Sequence, residues 1–545
     1  MTVRAQDEVI KAYRAAGWWG TDTLADRVAL HAERRPEAIA YTTGATSLTW
    51  SEYDERSSAL AAVLAASGLE PGDRLAVLLP DGPTVHLAYL AAEKAGLVVV
   101  GIGHRAGDRE MRHLLGLTGA RALLSHALHG GRTAGELRQA LGSQGAALAH
   151  HVVVPDLAGD GSPAVLVDGA EVGPADPAVL AGRRLGPDDL FMLNSTSGTT
   201  GLPKCVMHTQ NRWFYFHQLA AVSGRFGDDE VFMSVIPSPF GFGLWTAHFT
   251  PGILGCPTVI TERFEPGAAL DLIERYRVTV LCCVSTQFIM LLNTQAERAR
   301  DLSSLRSMYT GGEAVPYERA AEFEETTGAK VLQFYGSNET GALSYTTSAD
   351  TRQHRLRTAG QVIADMQVRL FEPDTGADVT GRPGRGQPGC LGPALALGYW
   401  GDEAANRQLF RADGWMLMGD IVEIDGDGYL TVVGRTSDFI IRGGKNISAP
   451  AVEEEVGTHP GVAMVAAVAM PDDVFGERVC VYVVPRRDAT ITIDSLRDHL
   501  SSRGVSKEWW PEHIVVVDEL PRSSGGKVAK GDLRADLLRR LGIAG

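Results

Sequence analysis

Cysteine is scarce in this chain. Six thiols among 545 residues are too few for a disulfide framework. Cys205, Cys256, Cys282, Cys283, Cys390 and Cys480 also show neither C-x-x-C nor Cys/His metal spacing. The adjacent Cys282 and Cys283 lie in the apolar run VTVLCCV and read as buried strand residues. Basic residues are in short supply as well: 51 Lys and Arg against 66 Asp and Glu leave a net charge of −15 at pH 7. That balance argues against broad nucleic-acid binding and against docking on anionic membranes, while allowing a local basic pocket. Uninterrupted apolar runs are missing too. The most apolar stretch, LAYLAAEKAGLVVVGIG, is broken by Glu93 and Lys94. The opening MTVRAQDEVIKAYRAAG carries charges throughout and does not read as a secretory signal. With apolar residues at 44% and charged residues at 21%, usage is that of an ordinary globular protein, and a cytoplasmic location is expected.

A chain of this length exceeds what one hydrophobic core supports. Short β-rich runs alternate with helical patterns, as in RLAVLLP before PTVHLAYLAAEKAG and VTVLCCV before STQFIMLLNTQAERA. Such alternation predicts βα units on largely parallel sheets, an α/β fold. GRPGRGQPG (381–389) reads as an exposed loop. It holds a G-x-G-x-x-G at Gly384, Gly386 and Gly389, but without a preceding strand, and Pro388 bars a helix, so a dinucleotide site is rejected. Near residue 435 the pattern restarts as a compact unit of about a hundred residues, which divides the chain into 1–434 and 435–545. Ser448, Pro450 and the acids Glu453, Glu454 and Glu455 predict a helix start there.

The most informative segment is FMLNSTSGTTGLPKCVMH (191–208). An apolar strand runs into Ser195, Thr196, Ser197, Gly198, Thr199, Thr200 and Gly201, then Pro203 and Lys204. Several hydroxyls among two glycines pack a core badly, because each needs a partner. A loop rich in N–H and O–H donors that ends in lysine suits a polyphosphate, and its spacing is not that of GxxxxGK[ST].

TSGTTGLPK resembles the phosphate loop of the adenylate-forming superfamily: acyl-CoA synthetases, peptide-synthetase adenylation domains and firefly luciferase. Further segments match in the family's order over roughly residues 25–535. YTGGE (309–313) resembles the adenine-side segment and YGSNE (335–339) the one that ends in a magnesium-linked glutamate. ALGYW (396–400) and GWMLMGD (414–420) resemble the next two segments of the family. GRTSDFIIRGGKNIS (434–448) resembles its domain hinge and thioester loop, and PRSSGGK (521–527) its C-terminal lysine loop. The resemblance implies a large N-terminal region of two βα-rich subdomains plus a small distorted β-barrel. A small mobile α+β C-terminal domain would come after it, swinging on a hinge near 436–438 at Ser437.

It also implies the chemistry. A carboxylate attacks the α-phosphate of ATP, pyrophosphate leaves, and the acyl group passes from AMP to coenzyme A. Charge builds between two anions, so catalysis is mainly electrostatic positioning. By resemblance Lys527 bridges the carboxylate and the α-phosphate, assisted by Lys204 and Arg435. Asp420 accepts from the ribose, although MGD stands where T-G-D is usual. Residues 196–201 with Gly312, Glu313, Tyr335, Gly336, Ser337 and Asn338 cradle the nucleotide. Asn338 replaces a more usual threonine and is expected to donate to the adenylate. Glu339, with Thr196, would hold Mg²⁺. Gly443, Gly444 and Lys445 would line the pantetheine tunnel.

The acyl pocket is drawn from PSPFGFGLW (237–245), TGGEA and SNETGA, with Phe240, Gly241, Phe242, Gly311 and Gly341 as its wall. Phe240, Phe242 and Trp245 make an apolar, aromatic slot, and no cation sits among these segments to fix a second carboxylate. Aromatic, cyclic or medium aliphatic monocarboxylates fit best. Two readings stand beside transfer to coenzyme A. One is loading of a carrier protein; the other is activation of nitrite to diazotise an arylamine, because GCLGPALALGYW (389–400) is shorter than the family's usual stretch. A monomer or homodimer that binds small molecules, without nucleic acid or membrane, is expected.

Overall fold

The computed structural model describes residues 5–142, 148–156, 165–195, 202–312, 315–435, 439–442, 445–472, 474–523 and 527–543. The side chains of Arg435, Lys445 and Asn446 lie outside that description. The architecture is α/β. Local signals in the sequence set its elements. Thr49 accepts from the N–H of Glu52 while the Glu52 carboxylate takes that of Thr49, a capping box that opens the helix Trp50–Ala66. Pro83 at the first helical position and a left-handed Gly96 after the last bound Pro83–Ala95. That helix is buried around almost its whole circumference, so it lies inside the molecule.

Two large sheets flank such helices. In the first, Arg74–Leu78 pairs in parallel with Val98–Gly101 and Ala122–Ser125. Val98–Gly101 in turn pairs with Leu190–Ser195, which turns back antiparallel into Cys205–Thr209. In the second, Lys330–Ser337, Ser307–Gly311, Val280–Cys282, Phe232–Ser234, Thr258–Ile260 and Ile39–Thr42 run parallel in that spatial order. One hydrophobic cluster joins the helices to the inner faces of both sheets. All six cysteines are buried and unbridged, Cys282 and Cys283 among them.

A third sheet is antiparallel and five-stranded, and it departs from the sequence reading. Of the stretch 381–389, read as an exposed loop, residues 384–389 belong to its central strand, Gly384–Cys390. That strand lies between Arg369–Phe371 on one side and Asp420–Ile424 with Met416–Leu417 on the other. Its glycines are there for proximity: a Cβ on Gly389 would sit 2.7 Å from the Phe371 ring, and one on Gly386 2.9 Å from the Phe371 carbonyl. No helix opens within the motif, whose residues lie in the strand itself, and the next helix starts only at Glu403, so the dinucleotide motif stays rejected.

From Ile440 onward the chain packs two clusters of its own around the hairpin Val462–Asp472/Gly476–Pro485. His513–Val516 pairs in parallel with the second of these strands. The expected helix start holds: Ser448 Oγ accepts from the N–H of Ala451, and Pro450 lies in the first turn of Ala449–Gly457. The acids do not reach the dipole end, because no acidic residue lies in that first turn. Among the described residues no helix is long and apolar enough to cross a membrane.

Candidate active site

The parallel strands of the second sheet end together, and the segments that leave their carboxyl ends meet the hairpin Leu190–Ser195/Cys205–Thr209 of the first. A crevice outside the carboxyl ends of such strands is where α/β sheets bind ligands. Residues 237–243, 312 and 338–341 all issue there.

Three contacts bring scattered motifs together. Lys204 places its ammonium 4.9 Å above the ring of Tyr399. The Tyr399 hydroxyl donates to Glu339 Oε1 at 2.8 Å, so loop lysine, tyrosine and glutamate form one chain. Burial, and then the Glu339 carboxylate, push the Tyr399 hydroxyl far up from its ordinary pKa, which keeps it a donor. Elsewhere Tyr335 donates to Asp420 Oδ2 at 2.8 Å, and Asp420 is almost fully buried. Cross-strand pairing sets Asp420 opposite Arg435.

The third contact joins the two ends of the molecule. Gly312 has φ +78°, and a Cβ there would lie 2.7 Å from Lys527 Nζ and 3.0 Å from its Cε. The lysine therefore occupies the space that the missing side chain leaves over Gly312. Its loop is closed by the Ser523 N–H donating to the Lys527 carbonyl at 2.7 Å. Arg522 reaches Met290 Sδ at 2.6 Å on the helix Ser285–Glu297. Met464, from the long hairpin, packs against the core of the second sheet.

Asn338, expected to donate to the adenylate, is also tied into the protein. Its Oδ1 accepts from the Gly241 N–H at 3.1 Å and its Nδ2 faces Asn194 Oδ1 at 3.4 Å, so both ends of the amide have protein partners. Asn194 donates onward to the Pro239 carbonyl at 2.5 Å. The amide pair thus stitches the strand before the phosphate loop to the PSPFGFG segment. Ser337 Oγ accepts from the N–H groups of Glu339 and Thr340, both at 3.2 Å, and so shapes the turn that carries the glutamate.

The aromatic slot is crowded. Phe240 and Trp245 are buried, Phe242 is half-buried, and the Phe242 and Trp245 rings stack 5.7 Å apart. Trp245 meets Tyr309 edge-on at 5.3 Å and Phe334 at 5.6 Å, and Phe216 closes on it at 5.4 Å. Leu244–Phe249 is a π-helical turn, a form frequent at functional sites. Gly241 keeps its neighbours close: a Cβ there would lie 3.2 Å from the edge of Trp213. Gly311 and Gly341 do likewise, with Cβ positions 2.8 Å from the Phe334 carbonyl and 2.6 Å from Ala394 Cβ. Sequence reading missed Trp213 and Phe216, one turn apart on Gln210–Gly224, and Phe334 on Lys330–Ser337, and it did not assign Tyr309 of YTGGE to the slot. It also missed Arg212, whose charge directly before the aromatic run WFYF (213–216) was the available signal.

Thr196, Ser197, Gly198, Thr199, Thr200, Gly201, Glu313, Ser437, Gly443 and Gly444 lie outside the described residues, as do the side chains of Arg435 and Lys445. For Mg²⁺, the described residues hold no cluster of three or more His, Cys, Asp or Glu. Glu339 offers one carboxylate, of which one oxygen is held by Tyr399. One or two carboxylates completed by substrate phosphates are the usual Mg²⁺ donor set, so these residues fit a nucleotide-borne ion.

Comparison with known proteins agrees with this layout. Residues 28–400 match the model of the AMP-binding enzyme family, and residues 451–527 that of the AMP-binding enzyme C-terminal domain. The medium-chain fatty-acid–CoA ligase of Escherichia coli K12 is 31% identical over 99% of this chain and 95% of its own length. A feruloyl-CoA synthase of Amycolatopsis is 32% identical over 92% of this chain and 96% of its own. The crystal structure of ATP-bound MatB from Rhodopseudomonas palustris superposes with a TM-score of 0.79 at 26% identity, over 94% of this chain and 98% of its own.

Proposed function

Because the chain belongs to the AMP-binding enzyme family, we propose that it is an AMP-forming acid–thiol ligase working in two half-reactions on an aromatic, cyclic or medium aliphatic monocarboxylate. In the first, a carboxylate oxygen attacks the α-phosphorus of ATP, the α–β anhydride bond breaks and pyrophosphate leaves, giving acyl-AMP. In the second, the coenzyme A thiolate attacks the acyl carbon, AMP leaves and a thioester remains. The observation that carries the reading is the seat of Lys527 over Gly312. It brings a mobile positive charge to the turn where the nucleotide is expected, and charge develops there in the first half-reaction.

Bound Mg²⁺ would neutralise the polyphosphate, with Glu339 as its protein ligand. Lys204 assists at the phosphates, while Asp420, beside Tyr335, orients the ribose. Arg435, opposite Asp420, marks the start of the small domain, which spans 435–545. Rotation about 436–438 would withdraw Lys527 and bring 443–445 to the acyl-adenylate. The aromatic slot supports an apolar acyl group, and the relatives act, by their names, on a medium-chain fatty acid and on ferulate.

The test is pyrophosphate release with ATP and Mg²⁺ over aryl, cyclic and aliphatic acids plus nitrite, each with and without coenzyme A, products read by mass. An acyl-CoA product is the expected outcome. An acyl-AMP that persists beside coenzyme A points to a carrier protein as acceptor. Turnover with nitrite alone overturns the proposal.

A further inference from the structure

One buried charge has no part in the chemistry above. Arg212, in the first turn of Gln210–Gly224, is 2% exposed, and among the described residues no carboxylate lies within ion-pair distance of it. Taking a guanidinium out of water is costly unless hydrogen bonds replace the lost solvent. Here Nε donates to the Ala394 carbonyl at 2.8 Å and Nη1 to the Asn338 carbonyl at 2.8 Å. Nη1 also faces His208 Nδ1 at 2.5 Å, and the guanidinium lies 5.0 Å from the ring of Trp213.

Those two carbonyls belong to segments that touch nowhere in sequence. Asn338 is the residue before Glu339, and Ala394 heads the stretch that leads to Tyr399. The segments are already in contact: the Ala396 N–H donates to the Glu339 carbonyl at 2.7 Å. Gly341, at φ +66°, lets Ala394 approach so closely that a Cβ would fall 2.6 Å from Ala394 Cβ. A rigid guanidinium fork is suited to holding two acceptors at fixed spacing, which a flexible ammonium is not.

We infer that Arg212 is a positioning residue for adenylation, bolting the 338–341 turn to the 394–399 segment so that Glu339 keeps its geometry toward Tyr399 and the nucleotide. The same residue fixes His208: because Nδ1 accepts from Arg212, the ring carries its proton on Nε2. Burial, and then the Arg212 charge, hold that imidazole well below its ordinary pKa, so it stays a neutral acceptor. The clamp rests on the adenylation reading for its kinetic consequence, and on geometry alone for its structural one.

The test compares the full-length wild type with Arg212→Met and Arg212→Lys in four measurements. Pyrophosphate release per folded enzyme is expected to fall about 30- to 100-fold in kcat for Arg212→Met, with Arg212→Lys between the two. Calorimetric binding of AMP without Mg²⁺ is expected to stay within about threefold, since Tyr335 and Asp420 are untouched. Thioester formation from supplied acyl-adenylate and coenzyme A is also expected to stay within about threefold. Amide hydrogen exchange should rise at Ala396 in both variants, because its carbonyl partner is no longer anchored. Unchanged kcat in a folded variant, or equal loss in both half-reactions, overturns the clamp. If Arg212→Met does not fold, Arg212→Lys decides by the same criteria. Wild type that is silent with every acid ends the functional proposal instead, and exchange at Ala396 then decides the clamp: no rise overturns it.

Discussion

Gly312 offers a way to displace the proposed catalytic lysine without altering it. Gly312→Ala adds a methyl group 2.7 Å from Lys527 Nζ and 3.0 Å from Cε, distances at which the lysine must retreat by roughly 1 Å. The backbone adds its own penalty, because φ +78° is a left-handed conformation that costs an L-residue about 1–2 kcal/mol. That penalty is small beside the stability of a typical domain, so the variant folds. A misplacement of about 1 Å at a reacting centre lowers the rate on the order of 10²-fold. Deleting a preorganised charge costs about 10²- to 10³-fold. Gly312→Ala should therefore lose about 10²-fold in kcat for pyrophosphate release, and Lys527→Ala slightly more. If the methyl acts through the lysine, the double variant is no slower than Lys527→Ala alone. Thioester formation from supplied acyl-adenylate should be spared in all three. Losses that multiply in the double variant would show that Gly312 acts by another route and would refute the reasoning.

Other outcomes are open to simple assays. Tyr335→Phe removes a hydrogen bond to the buried Asp420 carboxylate, worth about 1.5–3 kcal/mol, and should raise the KM for ATP about tenfold while leaving the KM for the acid in place. Tyr399→Phe frees Glu339 Oε1 and takes the hydroxyl edge from the ring beneath Lys204. It should cut kcat about tenfold and shift the Mg²⁺ concentration for half-maximal rate; a flat Mg²⁺ response would contradict the link. Stability should fall steeply below pH 6.5. Burial holds His248 down to about 3 and His217 to about 4, with His86 and His208 also well below 6.5. Their unfolded forms take up protons near 6.5 and the folded ones do not, so stability is present above 6.5 and drains away as pH falls. Asp81, raised by burial to about 6, works in the opposite direction as pH falls through that value, and Glu93 is raised by the same cause. Each imidazole kept neutral in the fold adds a slope of up to about 1.4 kcal/mol per pH unit below 6.5. Urea midpoints that stay level between pH 7 and 5 would contradict this.

Much of the fold was readable because its signals are local. An apolar strand into a hydroxyl-rich loop, a proline-led helix, and a serine cap before Pro450 each declare themselves within a few residues. Gly384–Cys390 hid for a physical reason. Its glycines and Pro388 look like loop punctuation, yet Gly386 and Gly389 are there because Phe371 presses on the strand from the neighbouring one. The partners of Arg212 lie 126 and 182 residues away, so no window of sequence contains the reason for its burial. The bonds of the Asn338 amide to Gly241 and Asn194 are equally non-local.

The six buried thiols have a practical consequence. Burial pushes Cys205, Cys256 and Cys480 up to about 12, and Cys282 and Cys390 well above the ordinary thiol range. Since the thiolate is the form that alkylates, the native cysteines are close to silent toward maleimides at neutral pH. One cysteine introduced at exposed Val474 on the small unit and another at exposed Val222 on the large one would then take a donor and an acceptor dye without first stripping the natural thiols. The chain is thereby suited to testing the proposed rotation about 436–438 one molecule at a time.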